Sequence, residues 1–349
     1  MKLLIFTQTV DYTDPILGFF HRWIVEFSQK FEQVYVICLK EGLHTLPKNV
    51  HVYSLGKEEG ENRIKYCIRF YRYCTHIFFV QKVSVAFFHM GAIYNILAFP
   101  FFLVRAWTHT TFIWWKTHGK LNWLGRIAMH GVDEIVTAGD FSFNGNTHKV
   151  RVVGHAIDTD VLTRSDRSLE QEKCHLLSVG RITPIKKNEI SLDVVLAYRE
   201  RYGEVLPLDL YGPITDTAYK TVLDTKITTN GLQTSVTFQG PKTPQQMLQV
   251  YQAYDILLHP SYEAGFDKVV LEAMACGVIP LTSIRSFESI LQGYGLYVGP
   301  NDVEAYVTRV HEIVTMPLSQ RSKMVTELRE IVVRNHSIAT LPERIFGVL

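Results

Sequence analysis

Two pairs of charged residues interrupt apolar segments of the chain, and the first pair suits the binding of a diphosphate. Arg181 follows the apolar run "HLLSVG", and Lys186 lies five residues further along the same loop, which Pro184 stiffens. Charge-assisted hydrogen bonds contribute about 1.5–3 kcal/mol each, so two cations on one loop can hold a doubly charged group. A solvated loop that precedes a helix explains the same pattern, because cations are usually exposed.

The second pair, Lys268 and Glu272, lies in "GFDKVVLEAMACG", whose apolar positions predict a buried helix. Gly265 permits a close approach of the backbone, Asp267 is a candidate N-cap, and the first-turn N–H groups form an anion site. Lys268 and Glu272 share the one stripe of this helix that is not apolar. A surface ion pair in this order contributes only about 0.2–0.5 kcal/mol. We therefore interpret the stripe as facing a ligand, with the lysine near a phosphate and the glutamate at a sugar hydroxyl.

The elements that must position these residues alternate between strands and helices along the whole chain. The last strand-length apolar runs are "EIVTAG" and "KVRVVGH" in the first half of the chain and "VIPLTS" and "GLYVG" in the second. This alternation predicts parallel sheets with helices on both faces, whose ligands bind beyond the carboxyl ends of the strands. We expect an α/β protein made of two Rossmann-like, doubly wound parallel-sheet domains that face each other across a cleft.

The domain boundary is predicted from a polar segment near the middle of the chain. "DTDVLTRSDRSLEQEKC" has few large apolar residues, which is typical of a linker. It separates an N-terminal domain at 1–160, which would bind the acceptor, from a C-terminal domain at 161–335, which would bind the donor. A last segment, 336–349, is predicted to form a helix that crosses back onto the first domain.

Composition excludes several classes of protein. The 349 residues are 47% hydrophobic with a formal net charge of +2, so a general binder of nucleic acid or another polyanion is a poor interpretation. The five cysteines form no CxxC pair and no spacing typical of zinc ligands, which favours a reducing compartment. The N-terminal "MKLLIFTQTV" is too short an apolar run for a signal peptide and is predicted to be a buried strand.

Two segments raise the question of a membrane. The apolar stretch from Ala86 to Trp107 is long enough to span a bilayer, but its histidine, asparagine, proline and arginine favour a strand followed by a buried helix. The segment "RIKYCIRFYRYC" has cations among aromatic residues at helical spacing: Arg63, Lys65, Arg69 and Arg72. It fits docking on an anionic membrane, and equally a solvated helix whose aromatic residues pack into the first domain.

Several of these segments together resemble a known family. "SVGRITPIKKNEISLDVV", "VTFQG", "QAYDILLHPS" and "GFDKVVLEAMACGVIPL" are similar to the C-terminal half of GT-B-fold retaining glycosyltransferases of family 4, over Val179–Pro280. The resemblance implies that Arg181 and Lys186 bind the donor diphosphate and that Glu272 binds the ribose. The donor-binding residues that it implies are Gly18, Arg181, Lys186, Gly240, Pro241, Lys242, Gly265, Phe266, Asp267, Lys268, Val269 and Glu272.

The chain departs from the family pattern at one position. The first of the family's two paired glutamates, which contacts the transferred sugar, would stand at Ala264, while Glu263 comes one residue earlier. Asp267 stands where many members have glycine. We expect Asp267 or Glu263 to take over a sugar contact; alternatively, Asp267 is only an N-cap.

In the first domain the resemblance singles out polar residues that follow strands. His118 follows the strand in "FIWWKTHG" and would contact the donor sugar or the reacting groups, which gives a catalytic set of His118, Asp267, Arg181 and Lys186. The loop "TVDYTDPILGFFHRW" and the segment "FFHMG" supply residues toward the acceptor: Asp11, Asp14 or His21, and His89. A histidine among apolar neighbours is more often a core residue, so both histidines also have a structural interpretation.

The resemblance implies transfer of a sugar from a UDP- or GDP-linked donor to the hydroxyl of a glycan or lipid-linked acceptor, with retention of anomeric configuration. No cofactor or metal is expected, because the cations would stabilise the leaving diphosphate and no convincing DxD element is present. The location would be cytoplasmic, and peripheral on the inner face of the membrane if the basic helix docks there. Two rivals remain: a non-hydrolysing sugar-nucleotide epimerase, and a non-catalytic sugar-nucleotide-binding partner of another transferase. A dehydrogenase is disfavoured because no GxGxxG follows the first strand.

Overall fold

The chain folds into two units. The computed structural model describes residues 1–349 except 15, 118–120, 144, 146, 165–173, 262–264 and 348–349. One unit contains Met1–Ala156 together with Ile338–Leu349, and the other contains Ile157–Ser337. Most of the predicted linker, 165–173, lies outside the described residues.

The first unit is built on a seven-stranded parallel sheet with the order β3-β2-β1-β4-β5-β6-β7. Its central strands are buried on both faces, which explains why their sequences are almost continuously apolar. β1 pairs with β2 on one side and β4 on the other, so that Ile5 lies between Val36 and Phe87. The strands are β1 Lys2–Val10, β2 Gln33–Glu41, β3 Val50–Ser54, β4 Val85–His89, β5 Thr111–Trp115, β6 Glu134–Thr137 and β7 Val150–Val152.

Helices cover both faces of this sheet. They are α1 Phe19–Lys30, α2 Arg63–Thr75, α3 Ala92–Leu97, α4 Phe99–Leu103, α5 Arg105–Thr108, α6 Trp123–Gly131 and, from the end of the chain, α14 Leu341–Phe346. α2 continues into a π-helix, His76–Gln81. One core joins α2, the π-helix, α3, α4 and α6 to the same face of the sheet. On the opposite face, Phe346 of α14 contacts Phe27 of α1 and Phe87 of β4.

The segment from Ala86 to Trp107 differs from the expectation of a strand followed by one buried helix. β4 is followed by the three short helices α3, α4 and α5. Pro100 lies in the first turn of α4, where a missing N–H is tolerated. The same proline would break a longer helix, so α3 cannot continue through it. Leu103 and Trp107 are exposed. Among the described residues, no helix is both long enough and apolar enough to cross a membrane.

The second unit is built on a five-stranded parallel sheet with the order β10-β9-β8-β11-β12. Its strands are β8 Leu176–Val179, β9 Leu208–Tyr211, β10 Val236–Gly240, β11 Ile256–His259 and β12 Ile279–Thr282. Its helices are α7 Asn188–Tyr202, α8 Thr217–Thr229, α9 Pro244–Gln252, α10 Lys268–Cys276, α11 Glu288–Leu291, α12 Val303–Val314 and α13 Leu318–His336. The strand predicted at "GLYVG" is wrong, because this segment forms only a single bridge, Thr282 to Tyr297. The predicted pair of parallel α/β sheets is confirmed.

Candidate functional site

The second sheet has a topological switch point at β8. The chain runs from β8 outward to β9 on one side and later to β11 on the other, so the loops after β8 and β11 open a crevice at their carboxyl ends. The loops after β8 and β9 approach closely: a Cβ atom on Gly212 would lie 1.9 Å from the carbonyl oxygen of Gly180. Both glycines have φ near +150°, a conformation that other residues rarely adopt. Only glycine therefore fits this junction.

A half-buried carboxylate joins the two loops at the switch point. Lys186, at the end of the β8 loop, makes an ion pair with Asp267, which follows β11. His259 Nε2, at the end of β11, lies 3.2 Å from the same oxygen, Asp267 Oδ2. Ser261 Oγ donates a hydrogen bond of 3.1 Å to the carbonyl of Ile185. The predicted diphosphate-binding lysine is thus held in place by a carboxylate of the neighbouring loop.

The environment of Asp267 favours its charged form. Burial alone would raise the pKa of this carboxyl group, but the hydrogen bond and charge of His259 and the charge of Lys186 lower it well below its usual range. A lysine paired with a charged carboxylate can exchange that partner for a phosphate without leaving its loop. The geometry therefore suits reversible binding of an anion.

We expect Asp267→Asn to flatten the acid end of the stability curve. Folding lowers the pKa of Asp267, so its stabilising contribution is present above the unfolded carboxyl's pKa of about 4 and is lost as the pH falls below it. At pH 7 the variant should be less stable by about 1.5–3 kcal/mol, and this difference should shrink steadily in more acidic solution. Urea unfolding across the acid range measures it, with Asp224→Asn, an exposed carboxylate paired with Lys220, as control. Parallel curves for wild type and Asp267→Asn would contradict the assignment.

Helix α10 starts at the switch point and carries the second charged pair. Asp267 is its N-cap and accepts a hydrogen bond of 3.4 Å from the N–H of Val269. Glu272, one turn in, accepts a hydrogen bond of 2.8 Å from the hydroxyl of Tyr251 on α9. Burial raises the pKa of Glu272 and lowers the pKa of Lys268 to about 8. Both charges therefore lie in a partly desolvated region.

The remaining predicted donor residues follow other strands of this sheet. Arg181 is exposed directly after β8. Gly240 ends β10 with φ +72°, and Lys242 Nζ lies 5.9 Å from the ring centroid of Tyr211 at the end of β9. Phe266 needs a correction: its side chain is buried and stacked on Phe287 at 4.3 Å. Only the backbone of Phe266 is left to contact a ligand.

The residues predicted to bind the acceptor lie in the first unit near the ends of β1 and β4. Asp11 Oδ1 accepts hydrogen bonds from the N–H of Thr13 at 2.9 Å and from its hydroxyl at 2.6 Å, and that hydroxyl lowers the pKa of Asp11. His21 Nε2 accepts from the N–H of Thr45 at 3.1 Å, and burial lowers its pKa. Both side chains hold the loops around them.

Two further first-unit predictions have clear structural roles. A Cβ on Gly18 would lie 2.6 Å from the carbonyl oxygen of Asp14, so this glycine is required for the close turn before α1. His89 is only 2% exposed and its ring stacks on Phe20 at 3.8 Å, with Thr7 Oγ1 3.3 Å from Nδ1. A direct contact of His89 with an acceptor conflicts with this burial. His118, Glu263 and Ala264 lie outside the described residues.

Sequence reasoning missed three residues of the site: His259, Ser261 and Tyr251. The first two follow the apolar run of β11 in "DILLHPS", and a polar residue at the end of a buried strand is a signal that could have been used. Tyr251 gives no such signal, because an aromatic residue on an amphipathic helix is normally a core residue. Its hydroxyl matters only through the position of α9 beside α10.

A sequence comparison bears on this unit. The profile of the family described as glycosyl transferases group 1 matches residues 163–330, which include the whole of the crevice described above. Residues 163–330 thus match the group 1 glycosyl transferases. D-inositol 3-phosphate glycosyltransferase of Mycobacteroides abscessus is 32% identical to this chain over 142 residues, which are 38% of this chain and 31% of that enzyme. The alignment with this relative therefore spans about a third of its length.

Solved structures resemble the chain over its full length. Anabaena HepE in complex with UDP covers 100% of this chain and 99% of its own, with a TM-score of 0.76 and 14% identity. A glycosyltransferase from Rickettsia africae covers 99% of this chain and 97% of its own, with a TM-score of 0.72 and 15% identity. At these identities the likeness shows the fold. The two units together therefore have the GT-B fold, and the second unit contains the group 1 match.

Proposed function

We propose that this protein is a retaining glycosyltransferase of family 4 that moves a sugar from a nucleotide-sugar donor to an acceptor hydroxyl. The bond between the anomeric carbon and the diphosphate oxygen breaks, the acceptor oxygen forms a bond to that carbon, and its proton passes to the departing diphosphate. The nucleoside diphosphate leaves. The group 1 match over the second unit supports the class of reaction. UDP is the first nucleotide to test, because Anabaena HepE was solved with it.

The observation that carries the proposal is the Lys186–Asp267 ion pair at the switch point of the second sheet. In the complex, Lys186 would turn from Asp267 to the diphosphate, with exposed Arg181 on the same loop and the N–H groups that open α10 as further donors. These groups are placed before the reaction, so they stabilise the charge that develops on the leaving diphosphate without reorganisation. No metal is required for this role, and we propose that the reaction is metal-independent.

The other donor contacts follow from the positions of the side chains. Glu272, held by Tyr251, would accept hydrogen bonds from the ribose, and the turn Gly240–Lys242 would flank the base. Asp267 remains our candidate for the missing sugar contact, because its second oxygen only caps α10 at 3.4 Å. The first unit would supply the acceptor side through Asp11 and His21, and His118 would act near the reacting groups. The acceptor would be a glycan or lipid-linked sugar.

The test is nucleotide binding followed by turnover. We expect UDP or a UDP-sugar at about a hundredfold excess over its dissociation constant to raise the melting temperature by about 5 °C or more, with or without EDTA. A panel of sugar nucleotides and acceptors, followed by NMR, should then give a product that keeps the donor's anomeric configuration, and a chelator should change the rate less than about twofold. Stabilisation by no nucleotide would refute the donor site.

Other outcomes of this experiment identify the rivals. Interconversion of the free sugar nucleotide without any acceptor indicates an epimerase, and binding without turnover indicates a non-catalytic partner. An inverted product would overturn the retaining mechanism while leaving the donor site in place. Loss of turnover with EDTA, restored by Mg²⁺, would overturn metal independence alone.

A further inference from the structure

The outer face of one helical layer in the first unit is unusually apolar. α2, the π-helix, α3, α4 and α6 cover the same face of the sheet, α5 follows directly after α4, and many large side chains of these helices are exposed. Trp107 is 82% exposed, and Leu103 and Ile64 are each 72% exposed. We call the following six exposed side chains the apolar platform: Ile64, Ile68, Phe79, Leu103, Trp107 and Trp123.

The helices that carry the platform are packed against one another. Tyr71 of α2 and Phe79 of the π-helix both contact the ring of Phe101 on α4, with centroids 6.4 Å apart in each case. On the other side of α4, a Cβ on Gly131 of α6 would lie 2.0 Å from the ring of Phe102, so α6 packs directly against α4. Because α2, the π-helix, α4 and α6 touch through these residues, we take their exposed apolar side chains, together with Trp107 of the adjoining α5, as one surface. Surfaces of this kind mark interaction sites.

The charge of this part of the chain has a single sign. Residues 63–132 contain nine lysines and arginines and no aspartate or glutamate. Carboxylates just outside this segment neutralise part of its charge: Lys65 and Arg69 make ion pairs with Glu61, and Arg105 makes one with Asp133. Arg63, Arg72, Lys82 and Arg126 are also exposed on the same helices and the turn after the π-helix. The positive charge of this segment is thus partly neutralised, but the remaining exposed cations leave the platform with a positive rim.

We propose that the apolar platform docks on an anionic lipid bilayer, with Trp107, Leu103 and Phe79 entering the headgroup region. The helices α3, α4 and α5 have only six, five and four residues, so they can lie on a bilayer but cannot cross it. Exposed tryptophans prefer the interface between lipid and water, and each cation near an anionic surface adds attraction. The surface therefore combines the two contributions that hold peripheral proteins on membranes.

A second copy of the chain is a poorer occupant. A two-fold symmetric interface would place this surface against itself, so cations would face cations with no carboxylate from residues 63–132 to balance them. Anionic lipid supplies the missing negative charge. The inference deepens the proposed function, because a lipid-linked acceptor would be presented at the surface on which the first unit sits, but the docking does not depend on sugar transfer.

Flotation of the full-length protein with lipid vesicles tests the proposal. We expect binding to phosphatidylcholine vesicles that contain about a third phosphatidylglycerol, and little binding to phosphatidylcholine alone. Leu103→Ser/Trp107→Ser should weaken binding about tenfold or more, because both side chains would lose their apolar contacts with lipid. Arg63→Gln/Arg126→Gln should weaken it about 25-fold at low salt, at roughly fivefold per cation. Bound wild type should also show a blue-shifted tryptophan emission.

Matched controls use exposed residues elsewhere: Val222→Ser/Leu318→Ser for apolar surface, and Lys48→Gln/Lys323→Gln for charge. These controls should bind as wild type does. The inference is overturned if the protein ignores anionic vesicles, binds neutral vesicles equally well, or loses binding equally in controls and platform variants. Self-association that the platform variants abolish, without lipid binding, would assign the surface to a second copy instead. Stabilisation by UDP, measured on the same variants, should be unchanged, so failure of docking and failure of the donor site are distinguishable.

Discussion

Lys186→Gln should lower kcat about 10²–10³-fold while the protein stays folded. Lys186 lies in the crevice of the second sheet, with only 16% of its side chain exposed. A partly desolvated charge aimed at a developing negative charge is worth more than an exposed one, because water screens it less. Glutamine can still hydrogen-bond to Asp267, so the variant removes the charge and keeps most of the packing. Steady-state kinetics with a saturating donor measure the effect.

The neighbouring residue provides a close control for this prediction. Lys187 has the same side chain and lies on the same loop, but it pairs with Glu189 at 3.6 Å on α7. Lys187→Gln should therefore change kcat by less than about threefold, the range expected when a surface charge is removed. Equal losses in the two variants would mean that the loop responds to net charge alone. Near-normal turnover of Lys186→Gln would refute its role at the diphosphate.

Glu272→Gln should raise the KM for the donor about 10–100-fold with a smaller change in kcat. The glutamine keeps the shape of the side chain but replaces a charged acceptor by a neutral one, and a hydrogen bond to a charged group contributes about 1.5–3 kcal/mol. Tyr251→Phe should act in the same direction but more weakly, by about fivefold, because it removes only the hydroxyl that orients Glu272. Donor titrations in initial-rate assays separate the two parameters.

A control for Glu272→Gln and Tyr251→Phe distinguishes an effect on the position of Glu272 from general destabilisation. Tyr198→Phe removes another buried tyrosine hydroxyl of the second unit, which lies 3.3 Å from Nδ1 of His311. It should leave the donor KM unchanged, although its stability falls by a similar amount. If Tyr251→Phe and Tyr198→Phe raise KM equally, Tyr251 has no specific role at Glu272. If Glu272→Gln changes kcat alone, the glutamate contacts the reacting groups rather than the ribose.

The sequence was sufficient for the architecture of both sheets because the signals there are local. Buried parallel strands read as continuous apolar runs, and the change to helical period marks each crossover. "GLYVG" shows the limit of this signal: its residues suit a strand, but after β12 they find only the bridge from Thr282 to Tyr297. A segment with strand propensity forms a strand only where a neighbouring strand is available to pair with it.

The candidate site could be predicted only in part, because some of its residues lie far apart in the sequence. Arg181, Lys186 and Glu272 could be found because they interrupt apolar patterns along the chain. The Lys186–Asp267–His259 cluster could not, since its members meet through strand order, and β8 and β11 are far apart in sequence. The same holds for Tyr251. The prediction for His89 shows the converse problem. A polar residue at the end of a strand can turn inward and stack on an aromatic ring instead of facing a ligand.

The path of the chain makes the second unit an insert within the first. The chain leaves the first unit after Ala156 and returns at Ile338, so the donor crevice is encoded between two junctions. These junctions lie side by side: the N–H of Ile157 bonds to the carbonyl of His336 at 2.7 Å, and Thr159 Oγ1 lies 2.9 Å from Ser337 Oγ. Adjacent ends are what an inserted domain needs in order to be accepted by its host. A chimera that exchanges nucleotide preference should therefore transplant 157–337 as one segment. With a single crossover, α14 would come from a different parent protein than the rest of the first unit.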